Sequence, residues 1–179
     1  MMLFIVIWSI WLISEILLNR LFRSKKDDRQ NLDLGSLRII WITIGIANSF
    51  GILSAIFIEL PISNYFLIPY LGLLIIACGI ILRFISVISL GKFFTVDVTI
   101  RKDHKIKKDG MYRLIRHPSY TGSLVSFFGF GLSLNNWISL VIIFLPVFFA
   151  MLHRIKIEEK SLIDQFGMEY TDYRKKHID

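Results

Sequence analysis

Positive charge in this 179-residue chain is segregated, and its spacing constrains the fold more than any other feature. Of the 21 Lys and Arg residues, six lie from Arg20 to Arg38, eight from Lys92 to Arg116 and six from Arg154 to Lys176. The remaining one, Arg83, sits inside an apolar run. Between the blocks the sequence predicts five hydrophobic segments: Met1 to about Leu21, about Leu37 to Leu60 ending at Pro61, about Tyr65 to Leu90, Ser119 to Leu134, and Trp137 to His153. The short connections Pro61–Asn64 and Asn135–Asn136 carry no Lys or Arg. With five crossings all three basic blocks fall on one side, which the positive-inside rule makes cytoplasmic. The expected fold is an all-α integral membrane protein of about five transmembrane helices, N-terminus outside and C-terminus cytoplasmic.

Composition agrees with that class and narrows the chemistry. Apolar residues make up 54% of the chain, above the usual share for soluble domains. The net charge of +7 is accounted for by Lys and Arg flanking membrane segments, so no nucleic-acid partner is expected. The single Cys78 excludes an internal disulfide. His104, His117, His153 and His177 show no metal-ligand spacing, so no metal is expected. The opening stretch lacks a basic leader and a small-residue cleavage site, and its positive charges follow the apolar core; it reads as a first span and not as a cleavable signal. The chain is expected to form one membrane domain. Residues 1–91 supply three helices, and residues 92–179 supply a site region, a helical hairpin and a cytosolic C-terminal helix.

The last two segments are only 16 and 17 residues long, about 24–26 Å at 1.5 Å per residue, and meet at Asn135–Asn136. Two antiparallel helices of equal length return the chain to its starting level. "RHPSY" (Arg116 to Tyr120) and "RIKIEE" (Arg154 to Glu159) are therefore expected side by side at the cytosolic face. Gly122, Ser126, Gly129 and Ser133 form a small-residue stripe that permits close helix approach, which favours a tight hairpin. Pro118 suits a helix first turn, and Arg116 and Tyr120 suit an interface. Two adjacent carboxylates near a membrane need a positive partner, from Arg154, Arg116 or a cationic ligand. Glu158 follows Arg154 by one helical turn, a commonplace pairing distance.

The order of these features resembles the isoprenylcysteine carboxyl methyltransferase family, within the wider group that includes phospholipid methyltransferases. The likeness is carried by "LGKFFTVDV" (Leu90 to Val98), "HKIKKDGMYRLIRHPSYTG" (His104 to Gly122) and "RIKIEEKSLIDQFGMEYTDY" (Arg154 to Tyr173). The resemblance implies S-adenosylmethionine as methyl donor, held at the cytosolic helix ends. It places His104, Lys105, Ile106, Lys107 and Tyr112 on one side of the cofactor and His117, Pro118, Ser119 and Tyr120 on the other. Glu158 would hold the cofactor's ammonium and Arg154 would orient a substrate carboxylate, while Asp97 falls at a polar cofactor contact. Eukaryotic members continue past the last Tyr with a Pro-containing tail, whereas this chain reads "RKKHID", so a farnesylated Cys is not assumed as substrate.

The chemistry suits those residue types. An acidic group and aromatic faces suit the donor's cations, and Lys105, Lys107 and Arg116 suit its carboxylate. A carboxylate nucleophile, with pKa near ~4, is already ionised at neutral pH. An amine would need a base, with His104, His117 or Glu159 the candidates. The expected partners are the lipid bilayer and a lipophilic or lipidated substrate; the sequence assigns no oligomeric state. Alternatives are phospholipid N-methylation, an NADPH-dependent reductase of the sterol type and a non-catalytic membrane subunit. Arg83, inside the third segment, is a functional candidate or a residue that snorkels to the surface; Glu15 of the first segment is a conceivable partner. Leu162, Phe166, Tyr170 and Tyr173 follow helical spacing and are expected to pack the C-terminal helix.

Overall fold

A computed structural model describes residues 2–22, 35–96 and 106–176. Its elements are helices α1 (Met2–Leu21), α2 (Ser36–Phe57), α3 (Leu67–Leu90), α4 (Pro118–Ser133), α5 (Trp137–Phe166) and α6 (Met168–Lys176), with short 3₁₀ turns at Gly91–Phe93 and Gly110–Arg113. Among the described residues, α1, α2, α3 and α5 are long and apolar enough to cross a membrane. Large apolar side chains such as Phe50, Ile56, Leu74, Ile81 and Phe149 lie exposed on the outside, the arrangement of a protein solvated by lipid.

The fourth segment departs from an ordinary span. At 16 residues α4 is short, and eleven of them are buried, including Ser119, Ser123, Ser126 and Ser133. A helix walled in by protein does not need lipid-facing apolar length. Its small-residue stripe faces α3, not α5, which corrects the expectation that the stripe tightens the hairpin. A Cβ on Gly79 would stand 2.6 Å from the Gly122 carbonyl and the Ser126 nitrogen, and one on Gly122 would stand 2.7 Å from the Arg83 nitrogen. The stripe on α4 fits a matching stripe on α3, and helical spacing alone could not say which neighbour it would meet. The hairpin through Asn135–Asn136 is present, while α5 lies chiefly along α2, with the Ser139 hydroxyl donating to the Gly51 carbonyl at 2.7 Å.

At the end away from the basic blocks, the α2–α3 and α4–α5 connections are stapled together. The Trp137 amide donates to the Leu60 carbonyl at 3.1 Å and the Ile62 amide to the Asn135 carbonyl at 3.2 Å. Asn135 adopts φ +50°, a conformation Asn tolerates better than most residues; its side chain donates to the Ser63 carbonyl at 2.9 Å and accepts from the Ser63 amide at 3.2 Å. Asn136 caps α5 by accepting from the Ser139 amide at 3.0 Å, and its Nδ2 donates to the Ile58 carbonyl. Between the two ends, Trp11, Ile40, Leu73, Ile76, Phe127, Phe130, Ile143 and Val147 belong to one core cluster. The Trp8 Nε1 donates to the Ser133 hydroxyl at 3.1 Å, fixing α1 on the bundle.

The fifth helix does not stop at His153. It continues to Phe166 because the charged stretch that follows keeps good helix formers, and it ends where Gly167 takes φ +54°. Arg154, Glu158 and Glu159 are therefore rigid parts of the helix that crosses the membrane.

Candidate functional site

The chain enters α4 through a shaped corner. Gly110 takes φ +60° to open the 3₁₀ turn, and His117, at φ −124° and ψ 59°, is the non-helical residue before Pro118. Pro118 occupies the first helical turn, where its missing N–H costs nothing. The Thr121 amide and hydroxyl both bond the His117 carbonyl, at 3.0 and 3.1 Å. The corner turns His117, Ser119, Tyr120 and Ser123 onto the wall of a cavity.

Opposite stands α5. The Tyr120 hydroxyl donates to Glu158 Oε2 at 2.8 Å and accepts from Arg154 Nε at 2.9 Å. The i,i+4 pair anticipated between Arg154 and Glu158 is thus bridged by a phenol from α4. Arg154 is only 3% exposed. Its Nη1 donates to the Ser36 hydroxyl at 2.7 Å, and its Nη2 donates to the Val96 carbonyl. One guanidinium therefore ties together α2, α4, α5 and the segment after α3.

The two adjacent carboxylates have different settings. Glu158 lines the cavity. Glu159 is buried in a cluster with Arg116, with His117 Nε2 at 3.4 Å, Arg174 Nε at 3.6 Å and the Tyr170 hydroxyl at 3.5 Å. Of the positive partners anticipated, Arg116 goes to Glu159. The cluster pins α6 beside the corner, and the Tyr173 hydroxyl adds a 2.6 Å bond to the Tyr112 carbonyl. Burial pushes the phenols of Tyr112 and Tyr170 well above their ordinary range, reinforced by the Glu158 charge at Tyr112 and the Glu159 charge at Tyr170. Burial also pushes Tyr173 up to about 12, against the opposing pull of Arg116. All three stay protonated donors through the physiological range.

Eight of the residues that the resemblance assigned to the site share this one cavity, Ile106, Lys107, Tyr112, His117, Ser119, Tyr120, Arg154 and Glu158, and Arg116, Leu162, Tyr170 and Tyr173 line it as well. Pro118 is fully buried and shapes the corner without lining the cavity. His104, Lys105 and Asp97 lie outside the described residues. Sequence reasoning missed the wall that α2 supplies, from Leu37, Ile40, Trp41 and Ile44, and the part supplied by Phe93 to Val96. Glu15 and Arg83 also line it. Their signal was visible, because each is an ionisable residue within an apolar span and such residues seek a polar setting. Polar groups thus ring the cavity at the basic-block end, while Ile40, Ile44, Phe127 and Met151 give it an apolar side.

The family model described as phospholipid methyltransferase matches residues 67–169, more than half of the chain. The chain belongs to the phospholipid methyltransferase family. The matched region of this phospholipid methyltransferase family member runs from the start of α3 into α6 and includes the corner and the Arg154–Glu159 stretch. The chain is also similar to a probable protein-S-isoprenylcysteine O-methyltransferase of Oryza sativa subsp. indica, 34% identical over 117 residues, covering 64% of this chain and 61% of the relative. To the protein-S-isoprenylcysteine O-methyltransferase of Saccharomyces cerevisiae it is 37% identical over 141 residues, covering 73% of this chain and 59% of the relative. The chain spans about three fifths of the length of these curated relatives. Its fold is similar to the solved eukaryotic intramembrane Ras methyltransferase, an isoprenylcysteine carboxyl methyltransferase, with TM-score 0.68 and 23% identity over 97% of this chain and 63% of that one. The resemblance that the sequence motifs carried is thus met in all three comparisons.

Proposed function

We propose that this phospholipid methyltransferase family member is an integral-membrane methyltransferase that uses S-adenosylmethionine to methylate the carboxylate of a lipid-like or prenylcysteine-like substrate. The active site lies at the cytoplasmic face, the end that carries the basic blocks. The observation that carries the reading is the Arg154–Tyr120–Glu158 chain of hydrogen bonds on the wall of a cavity that is polar at one end and apolar along one side.

The residues present fit the donor. Glu158 faces the cavity and suits an ammonium, Lys107 and Arg116 suit a carboxylate, and Tyr112, Tyr120, Tyr170 and Tyr173 offer aromatic surface for the sulfonium and the ring system. When bound, S-adenosylmethionine supplies a methyl on a sulfonium; transfer to a carboxylate oxygen forms the C–O bond and leaves the broken S–C pair on sulfur. No proton moves in that step, so no base is required of the protein. The protein's work is to align the two reactants, an effect worth up to ~7–11 kcal/mol. Tyr120 fixes the two side chains of α5 relative to each other, and Arg154 and Arg83 supply positive charge on the same wall. Glu159, one of the bases an amine substrate would need, is engaged by Arg116, His117 and Arg174, which favours the carboxylate reading.

Membranes from cells expressing the chain, labelled with methyl-tritiated S-adenosylmethionine and treated with alkali, test the proposal. Volatile methanol above a vector-only control is expected, because a methyl ester is alkali-labile. Label that stays with a lipid would mean N-methylation, and no label above control would overturn methyl transfer.

A further inference from the structure

The two charges within the apolar spans, Glu15 of α1 and Arg83 of α3, meet on the wall of the cavity just described. Glu15 Oε1 lies 2.8 Å from Arg83 Nε, and the side chains are 13% and 14% exposed. Arg83 Nη1 donates to both the carbonyl and the hydroxyl of Ser119, each at 3.1 Å. The Ser123 hydroxyl lies 3.4 Å from Glu15 Oε1, within donating distance. Arg83 thus stands at the start of α4, one residue from the tyrosine that bridges Arg154 and Glu158. The carboxylate that meets it comes from α1, which lies outside the region matched by the family model.

The electrostatics of that pairing have a chemical consequence. A guanidinium at membrane depth with no counter-charge draws any anion that enters. For a carboxylate nucleophile such attraction is strongest before reaction, because the negative charge disappears as the ester forms. An interaction stronger in the ground state than in the transition state tightens binding and slows the chemical step. A carboxylate already on the guanidinium weakens that ground-state grip while leaving its N–H groups to orient the substrate.

We infer that Glu15 is a positioning residue that tunes the charge of Arg83, holding its Nε edge so that an anionic substrate group is oriented by Arg83 without being over-stabilised by it. The inference rests on the reading above that a lipid-like carboxylate occupies this cavity. Glu15 itself need not touch the substrate.

The test is initial-rate kinetics of the full chain in lipid nanodiscs, with S-adenosylmethionine and an S-prenylated cysteine derivative bearing a free carboxylate. In Glu15→Gln, KM falls at least threefold and kcat falls at least tenfold, with S-adenosylmethionine affinity unchanged. A residue that merely supported the fold would not move KM and kcat downward together. An unchanged or raised KM in a Glu15→Gln protein that still binds S-adenosylmethionine overturns the inference. If that variant does not fold, the pair Glu15→Gln with Arg83→Gln leaves no lone charge behind, and its KM is expected to rise at least tenfold. An unchanged KM in the double variant also overturns it. Failure of the wild-type chain to methylate the carboxylate probe would instead remove the functional reading on which the inference stands.

Discussion

The two ends of the helix bundle treat their polar groups in opposite ways. At the stapled end, Asn135 and Asn136 spend their side chains on backbone groups of the 58–63 connection and on the cap of α5, and the result is a closed knot of satisfied amides. At the other end Tyr120 bonds Arg154 and Glu158 while Arg83 bonds Ser119 and pairs with Glu15, all around a space. Only the second end leaves charged groups facing a cavity. The first end holds the helices in register, and the second uses that register to bring α1, α2, α4 and α5 to one site.

Removing one group from each end should separate the two roles. Glu158→Gln takes away the carboxylate proposed to hold an ammonium, and S-adenosylmethionine binding is expected to weaken at least 100-fold, about 2.8 kcal/mol at a tenfold per ~1.4 kcal/mol. The melting temperature should move little. Titration of the purified protein checks this, and unchanged affinity would remove the proposed cofactor role. Asn136→Ala should do the reverse. Loss of the α5 cap costs about 1 kcal/mol, within a range of ~0.5–2, seen as a lower thermal midpoint with turnover per folded molecule unchanged. A loss of turnover in the folded protein would mean the stapled end reaches the site.

The smallest expected effect is a pH profile that stays flat from about pH 7 to 9. A carboxylate substrate with pKa near ~4 is fully ionised there. Raised phenol pKa values keep Tyr112, Tyr170 and Tyr173 protonated above the ordinary value near ~10. Because those values are raised in the fold, the stabilisation they represent is complete below the ordinary value and is lost progressively as pH climbs from there through the shifted one. A rate that rises steadily across the window would indicate an amine losing its proton.

Much of this contrast was legible before any coordinates. Charge segregation located the helices, and the equal lengths of the last two apolar runs brought Tyr120 to Arg154 and Glu158. What the sequence left open has physical causes. A stripe such as Gly122, Ser126, Gly129 and Ser133 states that a close neighbour exists but not that the neighbour is α3. Spacing of four residues allowed Arg154 and Glu158 to pair directly, yet a phenol from another helix took both. Hydropathy ended the fifth segment at His153 because polarity changes there, whereas helix propensity does not. Glu15 and Arg83 were each conspicuous alone, and their meeting depended on how α1 packs, which no local pattern encodes.

The enclosed character of α4 also bears on how the molecule is made. Its sixteen residues, with buried serines and glycines along its length, give a weak signal for partitioning from the translocon into lipid compared with its neighbours. The helix gains its favourable surroundings only once α3 offers the complementary glycine face and α5 closes the other side. Biogenesis therefore has a natural sequence, in which α3 is already in the bilayer before α4 settles against it and α5 follows to retain it. The corner that shapes the cavity, carried on the first turn of α4, is completed last.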